Sequence, residues 1–421
     1  LYQRPEFNIP VKTKQPNLSL FPTQIWALSQ NINNIQAQLV SLFSTDFERH
    51  TWLVNSAKGG VVEIVFDQGN VSSNGINEPI HEIELELVRG DVAELFDLAQ
   101  LLLNQLKLRP GLQSKAARGY SLWNEVEAIP SCTALTLLPL KHNENIAESF
   151  ISGLSKILQH LQSSVDQYID KPSLTTLAVI KDSLSLMEHG FIFFEKNLLV
   201  DCDKIRNEIM YFVKVFSWVE HLIYLKEIVN KTGNYRKKLD YSTELVAELK
   251  LEKRRFPNIE EVKQVFHSQR FNQLQLHILN MLMPNQSPFT EPLNNTNIHT
   301  FATEQLSKSL HQLTKNMPKN KVLTSEQYLE QSALLNRSLH AGIWFAGLFN
   351  EVERSKYRVP WLDIREGIAE LQVLWLIHQQ LQRLPEQPQK LVNWQRSKVD
   401  NLLHALEHSK NNAVSLQPYW L

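Results

Sequence analysis

Acidic and apolar side chains alternate strictly along the stretch His81–Leu87, whose sequence is HEIELEL. A period of two residues is typical of a β-strand, so three carboxylates share one face and three aliphatic side chains share the other. The two sets are Glu82, Glu84 and Glu86, and Ile83, Leu85 and Leu87. Because like charges repel, the acidic face either lies in water or points into a cavity that holds metal ions and basic side chains.

Similar patterns predict an α+β domain over residues 1–122, built on an antiparallel sheet. We expect strands at 1–11, 43–53, 61–66 and 80–88, and helices at 33–42 and 92–106. The first strand contains prolines, which is typical of a sheet edge. Glycine and asparagine at 68–70 and at 73–75 predict the turns between strands.

After a linker at 123–140 the pattern changes to long helices, which predicts an all-helical bundle domain over 141–421. The expected helices are 144–169, 173–197, 201–230, 242–251, 258–283, 299–316, 325–350, 362–383 and 390–409. Prolines such as Pro257 and Pro360 fall between these stretches, and we expect each of them to interrupt a helix.

Composition narrows the class of protein without naming it. The 421 residues carry a net charge of −1, so nothing global indicates a nucleic acid or a membrane surface as partner. The two cysteines, Cys132 and Cys202, lie far apart in no metal-binding spacing, which suits a reducing compartment. Apolar runs are too short for a membrane span, so we expect a cytoplasmic location.

Charged side chains of both signs recur at strand positions in the N-terminal domain. They are Arg4, Glu6, Arg49, Glu63, Asp67, Glu82, Glu84, Glu86, Lys115 and Arg118. Acidic and basic residues on one face of several strands suit a closed barrel with a charged interior. Such an interior can hold a divalent cation through carboxylates and a polyphosphate through lysine and arginine.

Four segments, in this order, resemble the CYTH family of triphosphate-processing enzymes: FSTDFERHTW, VEIVFDQG, IHEIELELVRGD and SKAARGY. The helical remainder resembles a CHAD domain, and a CYTH–CHAD pair is typical of bacterial inorganic triphosphatases. The resemblance implies an antiparallel β-tunnel in which water attacks a terminal phosphoryl group of inorganic triphosphate. It also implies Mg²⁺, for which Mn²⁺ is an alternative with the same oxygen ligands.

The resemblance further implies roles for individual residues. It assigns metal binding to Glu82, Glu84 and Glu86, and substrate binding to Arg4, Arg49, Lys115 and Arg118. Catalytic roles fall to Glu63, Asp67 and Lys115, with the two carboxylates orienting water or a second metal. In the helical domain it implies polyphosphate binding, for which the candidates are His189 and the pair Arg337 and His340. A histidine on an otherwise apolar helix is equally consistent with a structural role.

The chain departs from the family in one respect. The family's N-terminal E-x-E-x-K strand and its strand with paired arginines have no counterpart here, so the tunnel is expected to be incomplete. We therefore hypothesise a fragment that is inactive by itself. Two alternatives stay open: a different triphosphate (thiamine triphosphate, an RNA 5′-triphosphate, or ATP that is hydrolysed or cyclised), or a non-catalytic polyphosphate-binding scaffold.

Overall fold

The chain divides into two compact units in a computed structural model that describes residues 7, 9–12, 15–27, 29–124, 133–199, 202–230, 233, 235–239, 242–283, 288–289 and 297–421. The first unit consists of residues 1–54, 63–86 and 113–128. The second consists of residues 55–62, 87–112 and 129–421. The domain boundaries given above stay a prediction. Most of the predicted edge strand at 1–11, including Arg4, lies outside the described residues.

Three long strands form a sheet in the order β1-β2-β3. They are β1 (Ser44–Asn55), β2 (Val61–Ser73) and β3 (Ile76–Arg89). Only Asn74 and Gly75 join β2 to β3, and both have positive φ, as a type I′ hairpin turn requires. This confirms the turn predicted at 73–75. A sheet followed by a helical region is also the predicted fold class.

The turn predicted at 68–70 is wrong, because β2 continues through it to Ser73. Gly69 is a strand residue at a point where β1 approaches closely. A Cβ atom there would overlap the backbone of Asp46 and Phe47. Glycine inside a strand often marks such a close approach rather than a turn. The actual connection between β1 and β2 contains Gly59, whose φ is +90°.

Helices precede and follow the strands along the chain. In the N-terminal stretch they are α1 (Ile32–Ala37), α2 (Val92–Gln105) and α3 (Lys115–Trp123). Asp91 caps α2 by accepting a hydrogen bond from the Ala93 amide, and the Glu94 carboxylate accepts one from the Asp91 amide. Lys115 and Arg118 were expected at strand positions, and this is wrong: they lie on α3. Ser114 starts that helix by accepting from the Ala117 amide.

The remainder is helical, as predicted. Its helices are α4 (Ile146–Asp170), α5 (Leu174–Phe194), α6 (Cys202–Val215), α7 (Trp218–Val229), α8 (Arg236–Leu239), α9 (Thr243–Lys253), α10 (Ile259–Phe266), α11 (Gln269–Met281), α12 (Ile298–Asn316), α13 (Ser325–Glu330), α14 (Ser332–Trp344), α15 (Glu351–Arg383) and α16 (Gln389–Ser415). Three predicted helices are each split in two; at the middle break Ser268 caps α11. None of the described helices is both long and apolar enough to cross a bilayer.

Pro360 does not interrupt a helix, contrary to the prediction. Asn350 caps α15 through the amides of Val352 and Glu353, and the helix then runs through Pro360 to Arg383. A proline inside a helix removes one hydrogen bond and costs about 3 kcal/mol. The helix buries Trp361, Ile364, Ile368 and Leu371 in the main core. Tertiary packing therefore outweighs the local penalty.

Candidate metal and phosphate site

Strand alternation brings the acidic and basic candidates of the first unit onto one face of the sheet. Asp67 on β2 and Glu82 and Glu84 on β3 each offer a carboxylate oxygen, and these oxygens lie within 4.8 Å of one another. Carboxylate oxygens in such a group are the ligands that hard divalent cations prefer. The donor set therefore fits Mg²⁺ or Mn²⁺.

Asp67 is fully buried and is held by Arg49 from the neighbouring strand. The Nε of Arg49 donates to Oδ1 at 2.8 Å and an NH2 group donates to Oδ2 at 2.7 Å. This bidentate bond from Arg49 lowers the pKa of Asp67 against burial, which would raise it; Lys115 lowers it further. Asp67 is therefore ionised at neutral pH and anchors the cluster.

Lys115 lies at the centre of the acidic cluster. Its ammonium contacts Asp67 at 2.8 Å, Glu84 at 3.0 Å and also Glu82. Burial lowers the pKa of Lys115, but hydrogen bonds to the three carboxylates outweigh burial, so the pKa is raised above its ordinary value. Lys115 is the first residue of α3, and its side chain extends from there to the carboxylates of the sheet.

Arg118 lies three residues after Lys115 and therefore on the same face of α3. Its NH2 group donates to Glu82 at 2.7 Å, and its NH1 group donates to the Pro79 carbonyl at 3.1 Å. Glu78 adds a more distant ion pair at 3.5 Å. The site thus combines three close carboxylates with Arg49, Lys115 and Arg118.

Two predicted residues lie outside this cluster. Glu86 is exposed and acts on Arg49 only at longer range, where its charge raises the arginine pKa. Glu63 is half-buried on β2 and, within the described part of the chain, makes no ion pair. Arg4 falls on residues that are not described. The predicted roles of these three residues stay predictions.

Two residues of the site, Phe47 and Glu78, are not among the candidates that the sequence predicts. Phe47 lies beneath both cations, with its ring centroid 5.3 Å from the Lys115 ammonium and 5.5 Å from the Arg49 guanidinium. Glu78 pairs with Arg118. Both residues follow the alternation already recognised, because Phe47 is two residues before Arg49 and Glu78 is four before Glu82. One step of two residues leads from Arg49 to Phe47, and two such steps lead from Glu82 to Glu78.

In the second unit, the two histidine candidates meet. The Nδ1 atoms of His189 on α5 and His340 on α14 lie 2.8 Å apart, so one of them carries the shared proton. The Nε2 of His340 lies 3.1 Å from Asp182. Burial lowers the pKa of His189 to about 3, and the nearby charges of His340 and Arg337 add to this. These contacts are equally consistent with a structural role for the two histidines and with polyphosphate binding.

Comparisons with known proteins place these observations in a family. Residues 1–120 match the family model of the CYTH domain. Over 122 residues the chain is 35% identical to an inorganic triphosphatase of Haemophilus influenzae. These residues cover 29% of this chain and 34% of that protein. The chain thus spans about a third of the length of the curated relative that it matches. The resemblance to the CYTH family is confirmed over residues 1–120.

Two solved structures are similar to this chain over part of its length. One is the CHAD domain from the plant Ricinus communis, with a TM-score of 0.47 and 15% identity, covering 69% of this chain and 98% of that one. The other is PptA from Streptomyces chartreusis, with a TM-score of 0.48 and 13% identity, covering 64% and 98%.

Proposed function

We propose that the N-terminal site hydrolyses inorganic triphosphate to diphosphate and phosphate with the help of Mg²⁺, for which Mn²⁺ is an alternative. One observation carries the proposal: three carboxylates that suit a divalent cation share one cluster with three cations that suit phosphoryl oxygens. The similarity to an inorganic triphosphatase supports this choice of substrate. A cytoplasmic location is part of the proposal, supported by a sequence that holds only two cysteines, which lie far apart.

In the proposed reaction a water oxygen bonds to a terminal phosphorus while the bridging P–O bond breaks and diphosphate leaves. Glu82 and Glu84 would hold the metal, which would supply a positive charge that polarises phosphoryl oxygens and the attacking water. Arg49 and Arg118 bind the phosphate chain, and Lys115 neutralises the charge that develops on it. Glu63 accepts the proton of the attacking water. Asp67 positions Arg49 and Lys115 through its ion pairs.

The test is phosphate release from inorganic triphosphate with Mg²⁺, comparing the full-length protein with its Glu82→Gln variant. The amide keeps the shape of the side chain but removes the charge, so we expect kcat to fall by about a hundredfold or more, as for other losses of transition-state stabilisation. The matched control is Glu48→Gln, because Glu48 on β1 has a side chain that is 77% exposed.

Each other outcome favours a specific alternative. A higher kcat/KM for thiamine triphosphate, RNA 5′-triphosphate or ATP would replace the substrate. Binding of Mg²⁺ and triphosphate without turnover would favour the non-catalytic scaffold. The absence of both binding and turnover would contradict the proposal.

Polyphosphate binding by the helical part is a second candidate, favoured by one buried and one half-buried arginine on α15. Arg354 is 5% exposed, Arg358 lies one turn further on, and both donate to the carbonyl of Thr136 at 3.4 Å. Neither Nε has an acceptor, and among the described residues no carboxylate pairs with either guanidinium. A buried cation without a counter-charge is costly, and a polyanion would supply that charge.

Binding of a long-chain polyphosphate to Arg358→Gln tests this second candidate. We expect the affinity to fall about tenfold, which corresponds to one lost charge-assisted contact. Arg396→Gln on α16 is the control, because Arg396 is exposed. Equal affinity of the two variants for polyphosphate would indicate that polyphosphate binds at another site.

A further inference from the structure

We infer that Lys115 is the internal counter-ion of the acidic cluster, which a divalent cation displaces, and that the released ammonium then donates to the phosphate chain. The inference rests on the proposed function of the same site and adds a change of partner for one residue. It makes the binding of metal and of triphosphate mutually dependent.

The first step is the number of donors on the lysine. An ammonium group has three N–H donors and no acceptor. Lys115 directs its ammonium to three carboxylates, those of Asp67, Glu82 and Glu84. It donates a hydrogen bond to Glu84 and is in ion-pair contact with the other two carboxylates, so a phosphoryl oxygen would have to replace one of them. Lys115 cannot bind substrate while it stays in this position.

The second step is that a metal ion would need the same carboxylates. Mg²⁺ binds oxygen at about 2.1 Å, whereas the ammonium nitrogen lies 2.8 Å from Asp67 and 3.0 Å from Glu84. A cation that ligates these oxygens and an ammonium in contact with them would be close neighbours of like charge. The ammonium must therefore leave when the metal enters.

Arg49 shows by contrast why Lys115 is the residue that changes partner. Two nitrogens of Arg49 hold Asp67, while its side chain remains 43% exposed and retains further donors for an anion. The side chain of Lys115 is only 13% exposed. Phe47 lies under both cations and can retain the released ammonium within the site by a cation–π contact.

Displacement without a new anion leaves the Lys115 ammonium without its three partners, which disfavours binding of the metal alone. A triphosphate supplies new acceptors for the released ammonium. Metal and triphosphate should therefore each tighten the binding of the other by the same factor, as linkage requires. In this arrangement the site discriminates against free metal ions.

The test measures Mn²⁺ binding by electron paramagnetic resonance, with and without an imido-linked triphosphate that resists hydrolysis. In the unmodified chain we expect the analogue to tighten Mn²⁺ binding about tenfold, within the usual range of such coupling. In Lys115→Met we expect Mn²⁺ by itself to bind about tenfold more tightly than in the unmodified chain, and the coupling to fall to about threefold or less.

Two further variants separate competition from other effects. Lys115→Arg keeps the positive charge and should keep Mn²⁺ binding weak, and it serves if the methionine variant does not fold. Lys58→Met removes an exposed lysine that pairs with Asp97 at 2.9 Å, away from the cluster, and it should leave Mn²⁺ binding unchanged.

The outcomes distinguish this inference from the proposed function. Equal Mn²⁺ affinity of Lys115→Met and the unmodified chain would overturn displacement, and undiminished coupling would overturn the transfer to the phosphate chain. Tight Mn²⁺ binding by Lys115→Met without any triphosphate turnover by the unmodified chain would overturn the enzyme proposal and leave the displacement standing. Absence of Mn²⁺ binding in every variant would overturn both.

Discussion

At the scale of single residues, Asp67 connects the two cations of the N-terminal site. Its side chain is fully buried, and its oxygens accept from Arg49 and Lys115. A buried carboxylate is tolerated only when hydrogen bonds and opposite charges replace its water. The ion pairs therefore stabilise the fold of the first unit and at the same time orient the groups proposed to bind phosphate.

Replacing Asp67 by asparagine should destabilise the first unit by about 1–3 kcal/mol, because a charged acceptor of two cations becomes a neutral amide. Chemical denaturation, followed by hydrogen exchange of the amides of β1, β2 and β3, measures this loss. Asp46→Asn is the matched control: Asp46 is an exposed carboxylate on the neighbouring strand β1. Equal stability of the two variants would show that the buried ion pairs contribute nothing net.

The buried histidine pair predicts a loss of stability in mild acid. The folded-state pKa of His189 is lowered to about 3, so between pH 6.5 and 3 the unfolded chain binds a proton that the folded chain does not. The contribution of His189 to the free energy of unfolding is fully present above pH 6.5. It falls by up to about 1.4 kcal/mol per pH unit as the pH decreases. The charged and titratable groups that face His189 are His340, Arg337, Asp182, Arg206 and Glu188.

Urea unfolding at pH 7 and pH 5 measures this dependence. In His189→Asn the difference between the two pH values should shrink by the contribution of about one proton. His404→Asn on α16 serves as the control, because that histidine is exposed. An unchanged pH dependence in His189→Asn would show that His189 is protonated in the folded chain.

At the scale of elements, glycines fix how closely α4, α5 and α14 pack. The indole of Trp344 on α14 is fully buried and covers Gly153 of α4 and Gly190 of α5. Its Nε1 donates to the Leu186 carbonyl at 2.9 Å. A Cβ atom at either glycine would overlap the indole ring. The helices can therefore approach each other only where a side chain is absent.

Gly190→Ala should destabilise the helical part by about 1–3 kcal/mol, as overpacking of a close-packed core does. Gly342→Ala on α14 is the matched control: a Cβ there lies 3.8 Å from the Tyr419 hydroxyl, an ordinary contact, so higher helix propensity should stabilise by about 0.5–1 kcal/mol. Thermal unfolding of both variants gives the two signs. Equal melting temperatures would contradict this account.

Sequence patterns predicted the elements better than their ends. Alternation identified the acidic face of β3, because a period of two does not depend on tertiary contacts. It did not show that Gly69 continues β2, since the reason is a neighbouring strand distant in sequence. The three close partners of Lys115 were equally hidden. A lysine stem spans several ångströms, and only the packing of α3 determines which carboxylates it reaches.

At the scale of the whole molecule, the anion-binding candidates fall in different units. The carboxylate and lysine cluster belongs to the first, and the arginines of α15 belong to the second. The net charge of −1 gives no hint of either. Local groups of charge, rather than the overall balance, therefore determine where a phosphate chain can bind.

Hydrogen exchange can show which of the two sites takes triphosphate. A ligand present at ten times its Kd stabilises the bound state about tenfold, so amides that open with the site should exchange about tenfold more slowly. With Mg²⁺ and the imido-linked triphosphate together, we expect this protection in β1, β2, β3 and α3. Mg²⁺ by itself should protect them less, because Lys115 then lacks a new anion. Protection centred on α15 instead would assign triphosphate to Arg354 and Arg358, and the cluster around Lys115 would then be a set of structural ion pairs.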